Sequence, residues 1–206
     1  MKFNFVANTK VDISRWNKCT NKLEQDLKAL ASSHIPEDVV TKYLEDMSQA
    51  LSRVDNEQCE GMLFLMYAPP SSMPADARVD FVYKPTYIAA TIFMTAINRY
   101  KNIAANEAIR KTAGEVLEAS LGRNFLGAGY NEIDGLLDTL KIFAMGDTAE
   151  FVKNHTEINN FFAIRFEETI AFLETEICSG KIKDVWSGED YSAQGRHVLT
   201  MLEKRN

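Results

Sequence analysis

The chain has 206 residues, of which 46% are hydrophobic and 25% are charged, a composition typical of a globular protein with a substantial core. Its formal net charge of -6 argues against a broad nucleic-acid surface, because phosphate binding requires clustered lysine and arginine. The residues after Met1 lack a basic segment leading into an apolar run of about 7–15 residues, so we expect a cytoplasmic protein without a secretory signal.

Two amphipathic helices are predicted near the start of the chain. Apolar residues at three- and four-residue steps predict the first helix from about Asp12 to Ala31. Its predicted buried face comprises Trp16, Cys19, Leu23, Leu27 and Leu30. The second follows Pro36, because proline suits a first helical turn and the carboxylates of Glu37 and Asp38 favour the positive end of the helix dipole. Its predicted buried face comprises Val40, Tyr43, Leu44, Met47, Leu51 and Val54. We expect these two helices to form an antiparallel hairpin.

The next part of the chain contains the predicted domain boundary. Segment 61–67 is continuously apolar and fits either the end of a buried helix or a short strand. Prolines and serines then disfavour regular structure in segment 68–78. We expect a single helical domain over 1–206, with a division into 1–67, a linker at 68–78, and 79–206 as the alternative. Alternating aromatic residues in 3–5 and 79–83 would allow one small two-stranded element.

The remaining pattern is helical. Apolar residues cover nearly the whole circumference of a helix starting at Pro85, which predicts a central, buried helix. Its uncharged stretch, 85–98, is shorter than the about 20 residues that span a bilayer. Further helices are predicted from Asn106, from Asn131, and over a segment bearing Phe162, Phe166, Ile170, Leu173 and Ile177. The last predicted helix lies near 190–204, and its apolar residues are Val198, Leu199 and Leu202. The predicted fold is mainly α, an antiparallel bundle or stacked helical hairpins, with an α/α toroid or short solenoid as the alternative.

The glycines divide into two groups. Gly122, Gly146 and Gly180 directly follow helical patterns and are interpreted as left-handed C-caps. Gly127 and Gly129 lie within a connection instead, where small residues indicate a close backbone approach or a positive φ.

The glycine-rich loop Gly122–Asn131 is the candidate ligand site. Backbone amides at a helix N-terminus favour anions, and Arg123 with Asn124 could bind a carboxylate or phosphate. The alternatives are that these two residues cap the preceding helix and that Asn131 is an N-cap. Segment 83–87 is predicted at another helix entrance, which shares one end with Asn131 if the helices alternate up and down. The predicted site residues are Arg123, Asn124, Gly127, Gly129, Tyr130, Asn131, Tyr83, Lys84 and Tyr87.

No motif predicts a metal, a cofactor or a catalytic residue. Cys19, Cys59 and Cys178 are widely spaced and are expected to be buried free thiols. The three histidines have no catalytic motif partner, and the glycine loop lacks the ending of a phosphate-binding P-loop.

Two functional hypotheses follow. The first is a noncatalytic protein-interaction or self-association domain that uses an apolar surface, such as the methionine- and aromatic-rich stretch 62–67. The second is a small-molecule-binding or enzymatic helical protein with a pocket for a small anionic ligand at the Gly122–Asn131 loop. A protein partner is favoured over nucleic acid, and no membrane association is expected.

Overall fold

The protein is mainly α-helical. The computed structural model describes residues 3–5, 13–54, 62–64, 75–120, 130–184 and 187–204. The helices in these ranges are α1 (Ile13–Ser32), α2 (Glu37–Ala50), α3 (Ala75–Arg99), α4 (Lys101–Ala105), α5 (Glu107–Ser120), α6 (Tyr130–Met145), α7 (Thr148–Asn154), α8 (Asn160–Phe172) and α9 (Ser192–Glu203). A π-helical turn, Leu173–Ile177, continues α8. The predicted mainly α fold with helical packing and one small β element is confirmed.

Helix α3 is the centre of the fold. It packs against α1, α5, α6 and α7, and α6 packs in turn against α9. The side chains from Tyr87 to Ile97 are buried, because neighbouring helices surround this uncharged part of α3. The predicted central helix is therefore confirmed. The proposed division of the chain at 68–78 stays a prediction, although α1 packs directly on α3.

The predicted start of the central helix at Pro85 is wrong. Helix α3 begins at Ala75, within the predicted linker, and Pro85 lies inside it. An interior proline removes one backbone hydrogen bond, but the ring of Pro85 is buried with Thr86, and tertiary burial outweighs the local preference. Residues 79–83 are therefore helical, and the strand predicted there is wrong.

The β element lies elsewhere in the chain. Strand β1 (Ser52–Val54) pairs antiparallel with β2 (Met62–Phe64), with Arg53 opposite Leu63. Segment 61–67 was predicted to be either the end of a buried helix or a short strand, and it contains a strand. The prediction that α2 extends to Val54 is wrong, because Leu51 already has extended backbone angles and the strand follows.

The N-terminal segment packs on α2. The ring of Phe3 stacks on Tyr43 with centroids 4.4 Å apart, and the ring of Phe5 meets Tyr43 edge-on at 5.7 Å. Phe3 and Phe5 therefore contribute to the core rather than to a strand. The hydroxyl of Tyr43 donates to the carboxylate of Asp26 in α1 at 3.0 Å. This bond joins α1 to α2, but α1 packs mainly on α3 and α2 on α5, so the antiparallel hairpin stays a prediction.

Asp26 is a charged group in the core. Its side chain is 1% exposed and accepts hydrogen bonds from the Lys22 ammonium and the Tyr43 hydroxyl. Burial raises the pKa of Asp26 above its usual value, while Lys22 and Tyr43 oppose that shift. Burial and the nearby Asp26 carboxylate raise the pKa of Tyr43 well above its usual value. The ionised form of Asp26 is therefore less favoured in the folded protein than in the unfolded chain.

We expect Asp26→Asn to gain stability relative to wild type as the pH rises above the usual aspartate pKa of 3.8. In the window between this value and the raised folded-state pKa, the folded protein holds a proton that the unfolded chain has released, so wild-type stability falls with pH. Urea unfolding of both proteins from about pH 3 to 7 measures the difference, and asparagine still accepts a bond from Tyr43. A difference that is constant with pH would contradict this expectation.

The predicted glycine caps have different outcomes. Gly180 has a φ of 73° and is confirmed as a left-handed position after the π-helical turn. Gly146 is not a left-handed cap. A Cβ atom built on Gly146 would lie 2.4 Å from both Thr91 Cγ2 and Thr95 Oγ1 in α3, so close packing against α3 requires glycine there. Gly122 lies outside the described residues.

Helix α7 is a short element that the sequence pattern did not predict. The backbone N–H of Phe162 donates to the side chain of Asn159, which caps α8, and the amide of Asn159 donates to the Gly114 carbonyl in α5.

Among the described cysteines, Cys19 and Cys178 are free thiols as predicted. Both are half-buried rather than fully buried, because they lie at the edge of the core.

Candidate functional site

Most of the predicted ligand loop lies outside the described residues. Residues 122–129, including Arg123, Asn124, Gly127 and Gly129, lie outside the described residues, as do the side chains of Tyr130 and Asn131. Only the backbone of Tyr130 and Asn131 is described, and it forms the first turn of α6. A ligand site at this loop stays a prediction.

The segment predicted to face that loop is not at a helix entrance. Tyr83, Lys84 and Tyr87 all lie within α3, well after its start at Ala75. The Lys84 ammonium pairs with Glu24 of α1 at 2.7 Å, and Tyr87 is buried edge-on against Phe143 at 6.0 Å. The prediction that segment 83–87 lies at a helix entrance is therefore wrong, because Pro85 does not begin a helix. The expected pocket between two helix entrances depended on that prediction.

A surface groove lies between α7, α8 and α9. Its volume is about 600 Å³. We call it the α7–α8–α9 groove and define it by the residues that line it: Ala149, Val152, Lys153, Thr156, Phe166, Glu167, Ile170, Ala171, Glu174, Leu199, Leu202 and Glu203.

Helical periodicity explains how these three elements contribute one face each. Ala149, Val152, Lys153 and Thr156 follow i, i+3, i+4 and i+7 spacing from α7 into the turn after it. Two rows of residues on α8 and the π-helical turn line the groove. One row is Phe166 and Ile170, four residues apart. The other is Glu167, Ala171 and Glu174, in which Ala171 and Glu174 lie four and seven residues after Glu167. Helix α9 contributes Leu199, Leu202 and Glu203.

The floor of the groove is apolar and reaches the surface. Val152, Phe166 and Leu202 are buried at its base. Ile170 and Leu199 are half-buried, and Ala171 on the wall is exposed. Because Phe166 also packs on Phe143 and Phe162 in the core, the floor is continuous with the aromatic centre of the protein.

The edges of the groove are charged and mainly acidic. Glu167, Glu174 and Glu203 carry negative charge there, and Lys153 carries the positive charge. Nearby acidic residues outside the groove have partners: Arg165 pairs with Glu168, and Lys181 pairs with Glu176, each at 2.8 Å. Within the described ranges, the three groove glutamates and Lys153 have no ion-pair or hydrogen-bond partner for their side chains.

The spacing of α8 and α9 depends on the π-helical turn. A Cβ on Gly195 of α9 would lie 2.8 Å from Ile177 Cγ2 and 3.2 Å from Cys178 Sγ. Only a residue without a side chain allows this approach, so Gly195 fixes α9 against the widened end of α8. Glu174 lies in the same π-helical turn and lines the groove. Helical bulges of this type are frequent at functional sites.

An exposed apolar stripe lies on α8 beside the groove. Phe161 is 60% exposed and Ile164 is 45% exposed, and Val39 is the third large apolar side chain exposed in the described part of the chain. Phe161, Ile164 and Ala171 are three and seven residues apart, so they follow one side of the helix over about 15 Å. Phe166 and Ile170 of the floor lie five and nine residues from Phe161, about 140° and 180° around the helix, so the stripe and the floor occupy different sides of α8 and share only Ala171 as a neighbour.

The sequence pattern contained part of this site. Phe166, Ile170, Leu199 and Leu202 were expected to face the core, and their periodicity was correct. The pattern did not reveal that Ile170 and Leu199 would remain half open, because that depends on where α7 lies. The signal that could have indicated a surface role is Phe161 and Ile164, which lie outside the predicted buried face of their helix.

Comparison with known proteins assigns the groove no role. No protein family, curated protein or solved structure matches the chain. Within the described ranges, no three histidine, cysteine, aspartate or glutamate side chains are grouped closely enough to hold a metal ion. None of the helices described combines the length and apolarity of a bilayer-spanning segment.

Proposed function

We propose that this chain is a noncatalytic protein-interaction domain that binds an apolar segment of a partner protein in the α7–α8–α9 groove. The observation that carries the proposal is the apolar floor of the groove, which opens to the surface at the half-buried Ile170 and Leu199. Exposed apolar surface of this kind is typical of protein interfaces. We also propose a cytoplasmic location, which the free thiols of Cys19 and Cys178 support.

A macromolecular partner fits this surface better than a small ligand. The groove volume of about 600 Å³ lies within the range of about 300–1,000 Å³ for ligand sites. The groove, however, runs along α8 and its π-helical turn from Phe166 to Glu174, about 12 Å, and is open to the surface where Ile170, Ala171 and Leu199 line it. The charged groups lie at the edges of the groove rather than at its base. Small-ligand sites instead have a few polar groups that converge on the ligand.

An amphipathic helix is the form of partner segment that the groove favours. Helices bind in hydrophobic grooves through apolar residues at i, i+3, i+4 and i+7, the same periodicity that lines each wall here. The walls are themselves helical and offer no strand edge for a partner to extend as a sheet. A leucine stripe on a partner helix would bury Ile170, Leu199 and the exposed Ala171.

We expect Ala171→Trp to weaken binding of an amphipathic helical peptide by at least about tenfold. The indole would fill the groove from an exposed position, so the free energy of unfolding should change by less than about 0.5 kcal/mol. The probe is a synthetic peptide of about 15–20 residues with one leucine stripe, long enough to form a helix when bound. Fluorescence anisotropy measures the affinity for each variant.

The matched control is Ala193→Trp, the same substitution at an exposed alanine of α9 that does not line the groove. A scrambled peptide of identical composition, with its leucines distributed around the helix, controls for nonspecific adhesion. The proposal fails if the leucine-stripe peptide does not bind, if the scrambled peptide binds equally well, or if Ala171→Trp and Ala193→Trp weaken binding by the same factor.

A further inference from the structure

We infer that the partner segment is a basic amphipathic helix, with two lysine or arginine residues seven positions apart along one edge of its apolar stripe. This inference rests on the proposed function, since it specifies what the α7–α8–α9 groove binds. It follows from the placement of the charged groups around the groove, which favours a cationic partner over a neutral or an acidic one.

The two glutamates on α8 set the spacing. Glu167 and Glu174 are seven residues apart, two helical turns, which corresponds to about 10.5 Å along the axis. Ala171 lies between them, and its small exposed side chain leaves space for a partner backbone. A helix lying along α8 would therefore bring residues of the same seven-residue spacing opposite both carboxylates, whichever direction it runs.

Among the described residues, the carboxylates of Glu167 and Glu174 differ from their neighbours in pairing. The side chains of Glu167 and Glu174 have no ion-pair or hydrogen-bond partner among the described residues, whereas the adjacent Glu168 and Glu176 are both paired. Glu203 on α9 adds a third negative charge, against the single positive charge of Lys153 on α7. Complementary charges at the edge of an interface determine the choice of partner and increase its association rate.

A second copy of this chain is a poorer occupant. The exposed apolar stripe of α8 is the described surface that could enter a neighbouring groove, and it is flanked by Glu167 and Glu168 with only Arg165 as a cation. Those carboxylates would face the acidic edge of the other copy. The net charge of -6 also makes two copies repel each other at long range.

The test uses three leucine-stripe peptides that differ only in charge placement. One carries two arginines seven positions apart beside the stripe, the second carries the same arginines on the opposite face, and the third has glutamines instead. We expect the first peptide to bind most tightly to wild type. The double variant Glu167→Gln with Glu174→Gln should remove this advantage, by about 1.5- to 5-fold for each carboxylate. Glu45→Gln with Glu118→Gln, at exposed residues of α2 and α5, is the control of equal net charge.

The outcomes separate this inference from the proposed function. If all three peptides bind equally and Ala171→Trp still blocks them, the domain binds apolar helices and the charge inference is wrong. If both arginine peptides bind equally and respond alike to both double variants, the attraction is nonspecific and the inference is again wrong. If no peptide binds, the proposed function fails too. A concentration-dependent dimer in sedimentation experiments that Ala171→Trp abolishes would assign the groove to a second copy and overturn the basic partner.

Discussion

Replacing Phe143 by alanine should lower the free energy of unfolding by about 3–5 kcal/mol, the usual cost of removing a fully buried phenylalanine. The ring of Phe143 is 0% exposed in α6 and meets Tyr87, Phe162 and Phe166 at centroid distances of 5.7 to 6.0 Å. Its removal would leave a cavity between α3, α6 and α8, because the three surrounding rings, one on α3 and two on α8, cannot all move inward. Urea unfolding measures the loss.

Phe161→Ala is the matched control for this prediction. It makes the same substitution on α8, at a ring that is 60% exposed, and should change the free energy of unfolding by no more than about 0.5 kcal/mol. Equal losses in the two variants would mean that Phe143 is not at the centre of the core. Because Phe166 joins the aromatic centre to the groove floor, Phe143→Ala should also weaken peptide binding.

Replacing Gly146 by alanine should destabilise the protein by about 3 kcal/mol, at the upper end of the usual cost of overpacking. The added methyl group would lie 2.4 Å from Thr91 Cγ2 and from Thr95 Oγ1. Both threonines are β-branched, and their hydroxyls donate to the carbonyls of Tyr87 and Thr91, so neither side chain rotates away freely. The junction between α6 and α7 would have to separate from α3. Thermal and urea unfolding measure this change.

Two comparisons isolate the steric cause. Gly188→Ala places a methyl group where nothing lies within 4 Å, at a φ of +73°, so it should cost only about 1–2 kcal/mol for the left-handed backbone. Thr91→Ser removes Cγ2 and retains the hydroxyl, so Gly146→Ala should cost less in that background than in wild type. An undiminished cost in the double variant would contradict a clash with Thr91.

The core residues of the helices could be read from the sequence because burial follows periodicity. Leu23, Leu27 and Leu30 of α1 and Val40, Tyr43 and Met47 of α2 are buried as their spacing predicted. The uncharged stretch of α3 is buried on all sides for the same reason. The first turn of α3 could not be read in this way, because the local preference against an interior proline pointed to a helix start at Pro85.

The candidate site was predicted less completely than the fold. The sequence directed attention to the Gly122–Asn131 loop, which lies outside the described residues, and to a helix entrance at Tyr83–Tyr87 that does not exist. The α7–α8–α9 groove depends on α7, seven residues long, which has too few turns for a periodic pattern to identify. That Glu167 and Glu174 have no ion-pair partner in the described part of the chain also depends on which cations lie within reach in three dimensions.

The sequence by itself therefore determined the helical class, the buried faces of most helices and the left-handed turn at Gly180, because each follows from spacing within one segment. The tertiary structure alone decided the features that join distant segments. It identified the close packing at Gly146, the charged cluster at Asp26, and the groove left open between three helices. These features arise from distances between residues far apart in the chain, which periodicity within a helix does not encode.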